Sequence, residues 1–234
     1  MSLNLRPEFE DKQNVGAPFA HYLALYEAAD PLEIAGRTGL VYDAGSGRFA
    51  VTLVGTAYYV NHPAFLAVEE AVADGPAAET QKTTSPLCSC DGVLRRPYEE
   101  ILLLRYLIGG RYVPYGGKRL SYAEMPWGNV YLSQFKGRVV SRLAREFGKD
   151  PASLARAARS VPGLRHELLG GCDAGVRFEF LDNLYMSILL WEGDEEFPPS
   201  AQVLFDDNFR YAFTAEDMAV VGDVAIGTLK RYNG

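Results

Sequence analysis

Cysteine is scarce in this sequence, and the few thiols present give no basis for a disulfide framework. The 234 residues contain three cysteines, and an odd number of thiols cannot all pair within one chain. The segment from Met1 to Glu8 lacks the charged and then apolar pattern of an export signal. We therefore expect free thiols in a reducing compartment, and we predict a cytoplasmic protein.

Long hydrophobic runs and an excess of positive charge are also lacking. No apolar run reaches the roughly 18 residues of a membrane-spanning helix, so we predict a soluble protein without a membrane partner. The net charge of -7 argues against a general nucleic-acid-binding surface, because such a surface has to neutralise phosphates. Hydrophobic residues make up 48% and charged residues 23%, which is typical of a globular protein with its own core.

The charge that is present is divided unevenly along the chain. Residues 1–94 carry a net charge of -7, residues 95–165 carry +9 and residues 166–234 carry -9. The three segments can fold onto each other with complementary surfaces, or the middle segment can present a cationic patch to an anionic ligand or an acidic partner. Three arginines of a basic helical stripe are the candidates for the second alternative: Arg138, Arg142 and Arg145.

The periodicity of the apolar residues predicts both helices and strands. Helical spacing occurs near residues 19–26, 98–108, 132–147 and 214–229, and alternation typical of strands occurs near residues 40–60 and 176–191. We predict an α+β fold with an antiparallel sheet and helices packed mainly on one face. We expect a single domain over residues 1–234, in which an N-terminal β-meander, about residues 38–61, can form a subdomain. Ser200 is interpreted as the start of a short helix that runs through Phe205.

A cluster of carboxylates follows the predicted strand that ends near Trp191. Such oxygen ligands suit a divalent metal, and a carboxylate pair can perform general acid–base catalysis. The structural alternative is that the carboxylates pair with arginines of the basic segment. The candidates for a metal, a ligand or catalysis are Glu192, Asp194, Glu195, Glu196, Asp206 and Asp207.

An aromatic and glycine-rich stretch, residues 112–128, is the second candidate site. Aromatic side chains offer contact area and glycines allow close approach of the backbone, so the stretch could line a ligand pocket. It could equally be a packed irregular connection. The pocket candidates are Tyr112, Tyr115, Trp127 and Trp191.

The three cysteines are the third candidate. Cys88, Cys90 and Cys172 could supply three thiolates to a metal, but the spacing of Cys88 and Cys90 is tighter than that of a zinc knuckle. We interpret the thiols as structural, and the spacing disfavours an iron–sulfur cluster.

The C-terminal part of the chain resembles a known family. The run from Leu189 to Asp206 (LLWEGDEEFPPSAQVLFD) and the run from Phe213 to Asp217 (FTAED) are similar to the signature of an uncharacterised prokaryotic domain family. The middle region from Tyr106 to Gly148 also looks like that family, so the resemblance covers roughly residues 95–220. It implies an origin in anaerobes and a putative iron–sulfur label, although this chain lacks the closely spaced cysteines of the iron–sulfur members.

Three functional hypotheses follow from these patterns. The leading one is a soluble binding or accessory protein of anaerobic metabolism that binds a small ligand or a protein partner near the aromatic stretch and the carboxylates. The second is a metal-dependent or acid–base enzyme built on Asp194 to Glu196 and Asp206. The third is an iron–sulfur or thiolate-metal protein that uses the three cysteines.

Overall fold

The computed structural model describes residues 16–70 and 92–233, and the chain divides into two compact units. Of the described residues, the first unit comprises 16–51, 57–70 and 92–111, and the second comprises 52–56 and 112–233. The prediction of a single domain with a meander subdomain stays a prediction.

The first unit combines helices with the strands that the sequence predicts near residues 40–60. β1 pairs antiparallel with β2, and β3 pairs antiparallel with β4. The end of β2 and the first residue of β3 belong to the second unit. The elements are α1 (Gly16–Ala28), α2 (Pro31–Thr38), β1 (Val41–Asp43), β2 (Arg48–Leu53), β3 (Thr56–Asn61), β4 (Ala67–Glu69) and α3 (Pro97–Gly109).

Capping interactions define α2 and join it to α3. The Asp30 carboxylate accepts a hydrogen bond of 2.8 Å from the backbone N–H of Leu32, which satisfies a free donor at the first turn. The helix ends at Gly39, whose φ of 73° is the left-handed conformation that glycine adopts without strain. Near the end of α2, Arg37 donates hydrogen bonds to the carbonyl groups of Leu107 and Gly110. These carbonyl groups lie at the end of α3, where helical partners run out.

The second unit contains the longer part of the sheet and the helices that cover it. Two short non-α segments interrupt it, a 3₁₀-helix at Tyr122–Glu124 and a π-helical turn at Lys136–Val140. Its other elements are β5 (Arg119–Ser121), α4 (Gly128–Phe135), α5 (Ser141–Phe147), α6 (Ala152–Ser160), β6 (His166–Leu169), β7 (Ala174–Leu181), β8 (Leu184–Trp191), β9 (Ser200–Asp206), α7 (Phe209–Ala212) and α8 (Ala215–Arg231).

Antiparallel pairing connects the strands in the order β4-β3-β2-β7-β8-β9-β5, with β1 beside β2 and β6 beside β7. This arrangement confirms the predicted α+β class with an antiparallel sheet. β7 and β8 form a hairpin in the region where alternation predicts strands, and their turn places Asn183 at φ 64°, a left-handed conformation that asparagine tolerates.

Alternation along β7, β8 and β9 separates an apolar face from a polar face. Phe178, Ile188 and Phe205 are fully buried, and the Phe135 ring of α4 lies 6.1 Å from the Phe205 ring. The helices therefore cover the apolar face. Because side chains alternate along a strand, Arg177 lies on the other face.

One element differs from the sequence prediction. Residues Ser200 to Asp206 form strand β9 rather than a helix, and they pair with β8 over six residue positions. Val203 and Phe205 are buried while Gln202 is exposed, which is the period of two that a half-buried strand requires. The hydrogen bonds to β8 and β5 on both sides therefore override the local helix-start signal at Ser200.

Candidate functional site

An ion pair on the polar face links β7 to β9. The Arg177 Nε donates to Asp206 Oδ1 at 3.3 Å, and its Nη2 donates to Oδ2 at 2.5 Å. Asp206 is 0% exposed, and the Arg177 side chain is 17% exposed. The two parallel bonds fix the plane of the guanidinium, which is the strong bidentate form of this pair.

Arg177 donates a third hydrogen bond to a much more exposed carboxylate, that of Glu167. Glu167 lies directly opposite Arg177 in the neighbouring strand β6. Its Oε1 accepts one hydrogen bond of 3.1 Å from Arg177 Nη1, and its side chain is 58% exposed. Because exposed ion pairs contribute little free energy, Glu167 is held much more weakly than Asp206.

Two tyrosine rings flank the same guanidinium. The Arg177 Cζ atom lies 4.3 Å from the centre of the Tyr185 ring and 5.2 Å from the centre of the Tyr115 ring. Both distances are within the range of cation–π attraction. We call Glu167, Arg177, Asp206, Tyr115 and Tyr185 the Arg177 cluster.

Backbone hydrogen bonds hold the loop that carries Tyr115 against the end of β9. Asp207 Oδ1 accepts a bond of 2.8 Å from the Gly116 N–H, and the Asp207 N–H donates to the Lys118 carbonyl at 2.9 Å. A Cβ atom at Gly116 would lie 2.6 Å from Asp207 Oδ2, so a larger residue would have to displace the Asp207 carboxylate that accepts this bond. One glycine of the aromatic stretch therefore lets the Tyr115 loop approach β9.

Burial and charge act in opposite directions on the central pair. Burial raises the pKa of Asp206, and the hydrogen bonds and charge of Arg177 oppose that rise without cancelling it. Burial lowers the pKa of Arg177, but the bonds and charges of Asp206 and Glu167 outweigh that effect and leave the pKa raised. Each partner thus offsets the cost of burying the other, which makes the pair interdependent.

Two further carboxylates, one buried and one half-buried, lie around the turn between β7 and β8. Glu179 is 3% exposed and accepts hydrogen bonds from the Asn183 N–H at 2.8 Å and from Arg165 at 3.4 Å. Asp182 accepts a bond of 3.0 Å from the Thr52 N–H. Burial raises the pKa of Asp182 to about 6, and the charge of Glu179 adds to the rise.

The carboxylate candidates from the sequence do not form one group. Trp191 pairs with Ser200, so Glu192 and Asp194 to Glu196 follow β8 at one end of the β8–β9 hairpin. Asp206 is the last residue of β9, at the opposite end, which corresponds to about 20 Å for six residues of strand. Of the six carboxylate candidates, Asp206 belongs to the Arg177 cluster and Asp207 directly follows it in the chain.

The loop that follows β8 has its own structure. Asp194 Oδ1 accepts hydrogen bonds from the backbone N–H groups of Glu196 at 2.8 Å and Phe197 at 2.7 Å. Asp173 accepts one from the Glu192 N–H at 2.7 Å. In residues 16–70 and 92–233, no group of three or more His, Cys, Asp or Glu side chains has a geometry that could hold a metal ion. The proposed ligand roles of these carboxylates stay predictions.

The four pocket candidates lie in different surroundings. Tyr115 belongs to the Arg177 cluster, and Tyr112 is 46% exposed in the same loop. Trp127 is 79% exposed, with φ 64°, immediately before α4. Trp191 is the last residue of β8 and lies at the end of the β8–β9 hairpin that is far from Asp206.

Two of the three arginines of the basic stripe form ion pairs with the last helix, α8. Arg138 and Arg142 both donate to the Asp223 carboxylate of α8, the latter at 3.0 Å. Arg145 is 71% exposed and lies 3.7 Å from Glu146. The pairing of two stripe arginines supports complementary surfaces between the basic middle and the acidic C-terminal segment.

The thiolate hypothesis falls largely outside the described residues. Cys88 and Cys90 lie within residues 71–91, which are not described. Cys172 is free and partly buried, with its Sγ 4.0 Å from the Leu169 carbonyl oxygen. A site shared by the three cysteines stays a prediction.

Sequence reasoning missed the central residue of the cluster. Arg177 and Glu179 stand between Val176, Phe178 and Phe180, and this alternation indicated only a half-buried strand. A charged residue in the middle of such a strand is a signal for a buried ion pair, but its partner is 29 residues away in the chain.

Comparison with known proteins gives a family but no described function. The model of a family described as a domain of unknown function (DUF3786) matches residues 30–228. No curated protein and no solved structure matches the chain. Within the part of the chain that the structure describes, no helix has both the length and the apolar character needed to cross a membrane.

Proposed function

Because the chain belongs to the DUF3786 family, whose description assigns no function, we propose from the geometry that it binds a small ligand without catalysing a reaction. The binding site is the Arg177 cluster together with the loop of residues 112–118. This proposal keeps the small ligand and the aromatic stretch of the leading hypothesis from the sequence, and it replaces the carboxylates after Trp191 with Arg177 and its partners.

The observation that carries the proposal is the position of the Tyr115 ring, 5.2 Å from the Arg177 guanidinium and 43% exposed. The exposed ring offers contact area to a ligand, and the guanidinium below it offers directed hydrogen-bond donors. Small-molecule sites typically combine aromatic surface with a few convergent polar groups. The loop of residues 112–118 supplies the aromatic ring of Tyr115, and Arg177 of β7 supplies the donors.

The catalytic alternative receives less support from the same geometry. It requires Asp194, Glu195, Glu196 and Asp206 to act together, but the strand register puts Asp206 at the other end of the hairpin. Glu179 and Asp182, the carboxylates around the turn between β7 and β8, both accept hydrogen bonds from backbone N–H groups. Binding is the simpler role for an arginine that is already oriented by a buried partner.

The role in anaerobic metabolism and the iron–sulfur association rest on the family resemblance alone. They form a separate proposal that metal analysis and an absorption spectrum of protein purified without oxygen would test. Stoichiometric iron that is lost in Cys88→Ser would support a cluster, whereas binding at Arg177 requires no metal.

The binding proposal is tested by screening a small-molecule library against the full chain by ligand-observed NMR, and by mapping hits on backbone amide shifts. We expect hits that shift the amides of residues 112–118 and that lose at least tenfold in affinity in Tyr115→Ala.

A matched control is available for this screen. Tyr211 is also 43% exposed, and its ring lies 5.1 Å from the Arg210 Cζ, so Tyr211→Ala makes the same change at a similar arginine–tyrosine contact. Hits that are unaffected by Tyr115→Ala, or equally weakened by Tyr211→Ala, would contradict the proposed site.

A further inference from the structure

We infer that the ligand of this site carries a planar carboxylate, which binds the free edge of the Arg177 guanidinium in place of Glu167. The inference rests on the proposed function and deepens it by naming the chemical class of the ligand. An aromatic carboxylate of small size fits the site best.

Arg177 has N–H donors that its partners Asp206 and Glu167 leave available. A guanidinium has five N–H donors arranged so that two edges can each bind a carboxylate with two parallel bonds. Asp206 occupies the edge formed by Nε and Nη2. The second edge, formed by Nη1 and Nη2, has only the single bond from Nη1 to Glu167. This edge therefore has a donor to spare and the geometry for a second bidentate carboxylate.

The two carboxylates that bind Arg177 differ in exposure. Asp206 is 0% exposed and orients the arginine, so it is a positioning residue. Glu167 is 58% exposed and makes one bond of 3.1 Å. Release of Glu167 returns a carboxylate to water at small cost, because an exposed ion pair contributes little. Glu167 thus occupies the position that a ligand carboxylate would take.

Two aromatic rings near Arg177 indicate the chemistry of the rest of the ligand. The Tyr185 and Tyr115 rings lie 4.3 Å and 5.2 Å from the guanidinium carbon, so aromatic surface is close to the group whose free edge would bind the ligand. A planar ring attached to the carboxylate would gain offset or edge-to-face contact with Tyr115, which is 43% exposed. An alkyl carboxylate would gain less contact area, and an amine would meet the positive charge of Arg177.

The test measures binding of benzoate to the full chain by NMR titration, with benzamide and benzylamine as neutral and cationic analogues. We expect weak binding of benzoate, and at least tenfold weaker binding of both analogues. In Glu167→Gln we expect benzoate to bind about five- to tenfold more tightly, because the competing carboxylate is removed. A purely structural role of Arg177 predicts no such gain.

The control frees another arginine in the same way. Asp150 and Arg156 form an ion pair whose side chains are 56% and 58% exposed, so Asp150→Asn removes a competing carboxylate without a neighbouring tyrosine pair. We expect no change in benzoate affinity in this variant. Arg177→Lys, which keeps the charge but lacks the two-donor edge, should abolish the gain when combined with Glu167→Gln.

The outcomes separate the two proposals. If benzylamine binds better than benzoate, or Glu167→Gln weakens benzoate binding, the carboxylate inference is overturned while binding at the Tyr115 loop stands. If no molecule of the library or of this series shifts the amides of residues 112–118, both proposals are overturned.

Discussion

At the scale of single residues, we expect the buried ion pair of Asp206 with Arg177 to matter for stability. Asp206 has no exposed surface, and it compensates the partly buried charge of Arg177. A charge buried in this way costs several kcal/mol if its partner is removed, whereas an exposed pair is close to neutral. The residue therefore has a structural role whether or not a ligand binds.

We expect Asp206→Asn to destabilise the protein by about 3 to 5 kcal/mol, because Arg177 would be left without its buried counter-charge. The free energy of unfolding in urea measures this change. The same substitution at the exposed pair, Asp150→Asn, should change the free energy by no more than about 0.5 kcal/mol. A loss of similar size in both variants would contradict the special role of Asp206.

At the scale of elements, the last helix shows how closely the second unit is packed. α8 begins with a capping box, in which Thr214 Oγ1 accepts from the Asp217 N–H at 3.3 Å and Asp217 Oδ2 accepts from the Thr214 N–H at 3.1 Å. Thr214 and Asp217 have the spacing of a capping box in the sequence itself. The environment of the two glycines within the helix cannot be read from the sequence, because it depends on what packs against each of them.

Gly222 and Gly227 of α8 should respond in opposite ways to alanine. A Cβ atom at Gly222 would lie 2.6 Å and 2.8 Å from the methyl groups of Val139 in the π-helical turn, so Gly222→Ala should cost about 1 to 3 kcal/mol through overpacking. A Cβ atom at Gly227 would meet nothing within 4 Å, so Gly227→Ala should stabilise the helix by about 0.5 to 1 kcal/mol. Thermal unfolding of both variants checks the pair. Equal effects would show that helix propensity, rather than the contact with Val139, decides the outcome.

At the scale of the whole molecule, several ion pairs join segments that are distant in sequence. Asp223 of the acidic C-terminal segment accepts hydrogen bonds from Arg138 and Arg142 of the basic middle segment, which supports the interpretation of the divided charge as complementary surfaces. Lys230 Nζ lies 2.7 Å from Glu146 Oε2, so this pair also connects the two segments, but through an acidic residue of the basic segment and a basic residue of the acidic one. Arg145, which is 71% exposed, stays a candidate for a partner.

The stability of the chain should fall as the pH rises from about 4 to 7. Burial raises the pKa of Asp182 to about 6 and that of Glu100 to about 7, above the values of about 4 in an unfolded chain. Between these values the folded state binds more protons than the unfolded state, so the free energy of unfolding decreases with pH.

Urea unfolding at several pH values checks this dependence. Asp182→Asn and Glu100→Gln should each flatten the curve, the first below about pH 6 and the second below about pH 7. If neither substitution changes the slope of the free energy of unfolding against pH, the raised pKa values of Asp182 and Glu100 are not its cause.

The sequence by itself determined the elements whose periodicity is strong and local. The hairpin of β7 and β8, the helix α8 and the buried helix α3 follow from apolar spacing, from the turn at Asn183 and from the cap at Thr214. Each of these signals lies within a few residues, and hydrogen bonding within the element or hairpin satisfies the backbone there. The α+β class follows from the same signals.

Only the tertiary structure decided β9 and the Arg177 cluster. The helix-start signal at Ser200 was overridden because β8 and β5 provide hydrogen bonds on both sides of residues 200–206. Tyr115, Arg177 and Asp206 come from a loop and two strands, and strand register decides which side chains meet. Register depends on pairing between distant segments, and it is also why Glu192 and Asp206 lie at opposite ends of one hairpin.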